Sequence, residues 1–196
     1  MAIKAADVKK LRDATGAGMM DAKKALTEAD GDFDKAVDLL RVAGQAKAAK
    51  RSDREAANGL VVGAGNALVQ IGSETDFVAK NADFVATADK IAKAVDVAKA
   101  DSKDAAAQVQ LDDGKTVAQT LEDLAGTIGE KIELADAAYF EGNTHIYLHR
   151  RSQDLPPQVG VMVEYTGEDA EAVHGVCLQI AAMNPRWINR DEVPAD

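Results

Sequence analysis

His145, Tyr147 and His149 alternate along a segment of strand character, so their rings share one face. With Asp136 or Glu141 close in sequence, such a row could support acid–base chemistry. No serine or cysteine stands in a recognisable nucleophile turn beside them, and polar rows on a strand's outer face are common. The glycines are equally unspecific. Gly63-Ala-Gly65 lacks a third glycine at the dinucleotide spacing and runs on into a strand, and Gly16-Ala-Gly18 lies between two helices. Neither forms a phosphate-binding loop, and no Gly-Lys-Ser/Thr phosphate loop is present, since Gly114-Lys115-Thr116 lacks the glycine five residues earlier that such a loop requires. The single cysteine, Cys177, falls on an apolar helical stripe and reads as a buried structural residue. One cysteine and three histidines give little material for a metal cage, so neither metal nor cofactor is expected.

Two segments carry more information. Thr75-Asp-Phe-Val-Ala-Lys-Asn81 lies between a strand and a helix, where loops on a rigid scaffold commonly carry function. Chemistry alone favours burying Phe77, because large aromatics usually bury. Met19-Met20 follows a double glycine at a helix start. Adjacent helical residues point about 100° apart, so one of the two is expected to be exposed, and a flexible methionine suits a partner contact.

The elements that must hold these residues follow from periodicity. Val8 and Leu11 stripe a first helix, Ala22, Ala25, Leu26 and Ala29 a second, and Phe33, Ala36, Val37 and Leu40 a third. Asp32 is the expected N-cap of the third and Gly44 its stop. Residues 45–57 lack large apolar side chains and read as a basic linker. From Asn58 the period changes. Leu60 to Ile71 reads as a hairpin turning at Gly63–Asn66, and a helix follows with Asp83 as its cap and Phe84, Ala88, Ile91 and Val95 inside. Residues 98–109 are expected to be irregular. Thr116 and Gln119 form a capping-box pattern for a helix that Gly129 ends. Strands are expected over 132–140, 144–148 and 159–165. A last helix carries Val173, Val176, Cys177, Ile180 and Ala181 on one face and stops at Asn184-Pro185. The hairpin-and-helix unit at 59–95 is faintly echoed at 144–183. Strand and helix at 159–182 leave a sheet edge and an apolar face without obvious cover, so self-association or loose order is expected there.

The 196 residues are 46% hydrophobic and 29% charged, a globular composition. Only 4% are aromatic, too few for a base-stacking platform. Net charge is −10, unevenly spread: residues 1–54 carry 12 Lys/Arg against 9 Asp/Glu, and the remainder 11 against 24. An acidic body repels phosphate backbones, so no direct nucleic-acid partner is expected. No apolar run is long enough to span a membrane, and no export signal is visible at the N-terminus, so a reduced cytoplasmic setting is expected.

Thr15-Gly-Ala-Gly-Met-Met-Asp-Ala-Lys-Lys-Ala-Leu26 together with Thr75-Asp-Phe-Val-Ala-Lys-Asn81 closely resembles the bacterial elongation factor Ts family. The similarity runs through 59–95 and resumes at Gln158–Val163, Ile180-Ala-Ala and Asp191-Glu-Val-Pro, weakest over 96–140. The resemblance implies an α+β fold with four parts. These are a ubiquitin-associated-like three-helix module (1–44), the linker (45–57), a core subdomain with a mostly antiparallel sheet and flanking helices (58–150), and a partial second core subdomain (151–196). It implies a guanine-nucleotide exchange factor in translation elongation, with no covalent chemistry of its own. The partner it implies is the GDP-bound GTPase elongation factor Tu. Thr75, Asp76, Phe77 and Val78 would form the segment that displaces the partner's magnesium ion, and Arg12, Met19 and Met20 would face its GTPase domain. Capped by Thr75 and Asp76, this segment is expected to present Phe77 outward. Gln179 stands where family members often carry a histidine that meets the partner. Longer members also continue beyond the position of Asp196, so the chain is expected to be either a short form that dimerises or a piece of a longer one. Two rivals remain: a ubiquitin-associated-like adaptor that binds another protein without exchange, and a small hydrolase built on His145 and His149.

Overall fold

The computed structural model describes residues 3–194. Three helices open the chain: α1 (Ala5–Thr15), α2 (Met19–Glu28) and α3 (Phe33–Ala49). Their apolar stripes close on Val8, Leu11, Ala22, Ala25, Leu26, Ala29 and Ala36. Gly16 ends α1 in the left-handed region at φ 68°, and its N–H donates to the Arg12 carbonyl. Asp32 caps α3 by accepting from the Lys35 N–H at 3.0 Å.

Next comes the hairpin β1 (Asn58–Ala64) and β2 (Ala67–Ser73), followed by α4 (Asp76–Ala79), α5 (Ala82–Ala98), α6 (Lys103–Gln108) and α7 (Val117–Ile128). Strand β3 (Ile132–Tyr139) returns antiparallel beside β2, giving the order β1-β2-β3 with a register shift between Gln70 and Ile71. Helices α5 and α7 cover this sheet. Leu60, Val69, Ile71, Phe84, Ile91, Val95, Val117 and Leu121 form the centre of that core. A second antiparallel pair, β4 (Thr144–His149) and β5 (Val159–Glu164), carries α8 (Ala170–Met183) on it, and a short 3-10 turn follows at Arg190–Glu192. The Val61 N–H donates to the Pro157 carbonyl at 2.8 Å and ties this second unit to β1. A strand pair bearing a helix thus occurs twice, as the faint echo in the sequence suggested. Among the described residues no helix is long and apolar enough to cross a membrane.

The mixed helix-and-sheet architecture is the expected α+β one, and four local expectations are corrected. Helix α3 does not stop at Gly44 but continues to Ala49, well into the segment expected to be a linker. The reason is tertiary: Gly44 lies against Gly126 of α7, and the alanine-rich segment beyond favours helix. Helix α5 is capped by Asn81, not Asp83; its side chain accepts from the Asp83 and Phe84 N–H groups at 2.9 and 3.1 Å. Residues 103–108 form α6, capped by Ser102, where irregular chain was expected. On α8 only Cys177 is fully buried, and Val176 is 49% exposed. That helix packs on just two strands, too narrow a surface to cover its whole apolar stripe.

Candidate partner-binding site

Strand β2 ends in the buried Ser73, and the chain turns through Glu74 and Thr75 into the four residues of α4. Thr75 occupies the N-cap position of α4, but its side chain makes no capping bond there. Its hydroxyl instead donates to Glu130 Oε1 at 2.7 Å, and its N–H donates to Glu130 Oε2 at 3.0 Å. The expected local cap is therefore replaced by a carboxylate 55 positions away. Asp76 pairs with Lys80 one turn on, at 3.5 Å, with both side chains over 40% exposed. Such an exposed pair contributes little stability.

The two apolar residues of the turn separate sharply. Val78 is buried in the main core, while Phe77 is 79% exposed. The bare preference of aromatics for burial is thus overturned here. Val78 and Ala79 plug the short helix into the core, and Phe77, on the opposite side, has nothing to cover it.

Around this turn lies a network that sequence reasoning did not identify. The Glu74 carboxylate accepts from the Lys131 N–H at 2.6 Å and from Arg54 Nη1 at 3.0 Å. The Lys131 N–H, opposed in part by desolvation and helped by the hydrogen bond and charge of Arg54, holds the Glu74 carboxyl below its usual range. Asn58 Nδ2 donates to the Glu74 carbonyl at 2.8 Å, and Ser73 Oγ donates to the Thr75 carbonyl at 2.9 Å. The only signal in the sequence is the Glu130-Lys131 pair directly after the Gly129 helix stop. Gly129 takes φ 88° as the C-cap of α7, which turns both residues toward β2.

Arg12, Met19 and Met20 lie on the three-helix module, all exposed. Met19 is 50% and Met20 75% exposed, so both methionines face solvent where only one was expected to. Gln179 is exposed on α8. The histidine row meets α8 and itself: His145 Nε2 lies 3.1 Å from Nδ1 of His174 on α8, and the Tyr147 hydroxyl lies 2.9 Å from His149 Nδ1. Cys177 is fully buried, and burial pushes its thiol pKa up, away from the reactive thiolate.

The class so defined is an α+β protein in which a three-helix module packs on a sheet-and-helix core, each presenting uncovered apolar side chains. The model of the family described as elongation factor TS matches residues 74–196. The chain is 76% identical over its whole length to elongation factor Ts of Cutibacterium acnes, spanning 73% of that protein. It is 57% identical over 99% of its length to that of a Nocardioides species and 56% over 98% to that of Mycolicibacterium vanbaalenii, spanning 72% and 70% of them. The chain belongs to the elongation factor Ts family.

Proposed function

We propose that this chain binds elongation factor Tu and speeds GDP release by bringing the Thr75–Val78 turn to the magnesium side of the GTPase's nucleotide pocket, where it displaces the ion. Family membership makes the chain a translation elongation factor that acts by nucleotide exchange and not by covalent chemistry. Arg12, Met19 and Met20 supply a second contact, to the GTPase domain, and the residue types suit an interface. The work belongs in the cytoplasm.

The observation that carries this reading is Phe77, 79% exposed on a helix whose next two residues, Val78 and Ala79, are buried. Uncovered, the ring gains nothing in the free protein. Burying it in a partner is worth about 1.5–3 kcal/mol. That converts to about one to two decades in a rate or equilibrium, at roughly 1.4 kcal/mol per tenfold. Magnesium bridges phosphate oxygens and neutralises their charge, so its loss loosens the diphosphate. The coupling is reciprocal: if this chain weakens GDP on the partner, nucleotide weakens this chain to the same degree, and the factor turns over.

The test is release of fluorescent GDP from elongation factor Tu with and without the chain, in magnesium and again in excess chelator. Strong acceleration in magnesium that shrinks in chelator is expected. The exposed Met19–Met20 pair also suits an adaptor, for which binding without acceleration is the signature. Acceleration that persists undiminished in chelator would contradict displacement of the ion.

A further inference from the structure

Two dipeptides far apart in sequence, Glu74-Thr75 and Glu130-Lys131, exchange side-chain-to-backbone hydrogen bonds. The Glu74 carboxylate takes the Lys131 N–H, and the Glu130 carboxylate takes both the N–H and the hydroxyl of Thr75. The backbone carbonyls of Glu74 and Thr75 are taken in turn by Asn58 and Ser73. The carboxylate and carbonyl of Glu74 and the N–H, hydroxyl and carbonyl of Thr75 therefore each have a partner, and Phe77 lies two residues beyond.

This arrangement matters because an exposed aromatic on a free loop would fold back onto the nearest apolar surface. A loop held in one conformation also loses less entropy on binding. Of the contacts described, Glu130 is the one that grips Thr75 twice, and bonds to an ionised carboxylate are stronger than neutral ones. Glu130 comes from the α7–β3 turn and is only partly exposed, which suits it to holding the loop from behind.

We propose that Glu130 is a positioning residue for nucleotide exchange: through Thr75 it fixes the path of the chain that aims Phe77 at the partner. The inference rests on the reading of the Thr75–Val78 turn as the exchange element. It predicts that Glu130→Ala lowers the maximal rate of GDP release by about tenfold, the scale of a lost charge-assisted bond. The concentration for half-saturation should move by no more than about twofold, because the module's contacts are untouched. Glu130→Gln, which keeps an acceptor for one of the two bonds, should fall between. Thr75→Val keeps the shape and the N–H bond but loses the hydroxyl, and should cost about threefold.

The experiment is stopped-flow release of fluorescent GDP from elongation factor Tu over a range of factor concentrations, with each variant melted in parallel. Phe77→Ala and the double variant Phe77→Ala/Glu130→Ala complete the cycle. If Glu130 acts through the Phe77 turn, it adds almost nothing on the Phe77→Ala background. Equal losses on both backgrounds, or full activity of both Glu130→Gln and Thr75→Val, would overturn the inference while leaving the exchange reading intact. Full activity of Phe77→Ala would instead remove the reading of the Thr75–Val78 turn as the exchange element. If Glu130→Ala melts too low to assay, Glu130→Gln and Thr75→Val decide the matter.

Discussion

Gly44 of α3 and Gly126 of α7 meet backbone to backbone. A Cβ built on Gly126 would lie 3.0 Å from the Gly44 Cα, and one on Gly44 would lie 3.4 Å from the Gly126 Cα. The three-helix module therefore sits on the core where two helices cross without side chains between them. Gly16 reinforces the seat, since a Cβ there would meet Thr127 Cγ2 at 2.6 Å. A larger residue at Gly126 must push α3 away. Gly126→Leu is expected to cost about 1–3 kcal/mol, the scale of overpacking. Far-ultraviolet circular dichroism should stay near wild type while limited proteolysis at 50–57 speeds up. An unchanged proteolysis rate would show that the module's seat does not depend on this crossing.

The two phenylalanines of the exchange region offer a direct contrast in stability. Phe84, 1% exposed, fills the core, whereas Phe77 is 79% exposed. Phe84→Ala should lose about 3–5 kcal/mol in urea unfolding. Phe77→Ala should stay within about 0.5 kcal/mol of wild type, as surface substitutions do. A loss of several kcal/mol at Phe77 would place its ring in the core.

The module's contact is tested by Met20→Ala and Arg12→Ala. Each should weaken the complex with elongation factor Tu by about 1–2 kcal/mol, a typical interface truncation. Helix content should not change, because both side chains are exposed. Titration calorimetry reads the first quantity and circular dichroism the second. Normal binding together with a lower melting temperature would make these residues structural.

Acid should loosen the Glu74 side of the network. The folded-state carboxyl is held below the ordinary value of 4.5 by the Lys131 N–H and Arg54. Its contribution is therefore whole above that value and is lost as pH falls through the lower folded-state one. The stability difference between wild type and Glu74→Gln should be constant near neutral pH and shrink in acid. A difference that grows toward low pH would have the wrong sign for this bonding.

Local signals were legible where local chemistry decides. Thr116 and Gln119 form the reciprocal capping box their spacing announces, Gly129 turns left-handed to stop α7, and Asn184 does the same for α8. Asp32 caps α3 as its position suggests. What stayed hidden depends on partners distant in sequence. Gly44 looks like a helix stop until Gly126 is seen to need its missing side chain. Thr75 looks like a local cap until Glu130 takes its hydroxyl. At Asn81 and Asp83 two good capping residues competed, and the one nearer the preceding turn prevailed. The segment Thr75–Val78 was legible as a motif, but periodicity could not assign Val78 to the core and Phe77 to solvent.

Whether Phe77 drives nucleotide release is decided by comparing wild type with a chain that lacks the ring. Stopped-flow release of fluorescent GDP from elongation factor Tu is measured at saturating wild-type chain and at saturating Phe77→Ala. The release rate should be lower by about one to two decades for the variant, the equivalent of the burial energy of one ring. Binding of the two to the GTPase should differ by less. Equal release rates from a folded, binding-competent Phe77→Ala would show that the ring does not drive release.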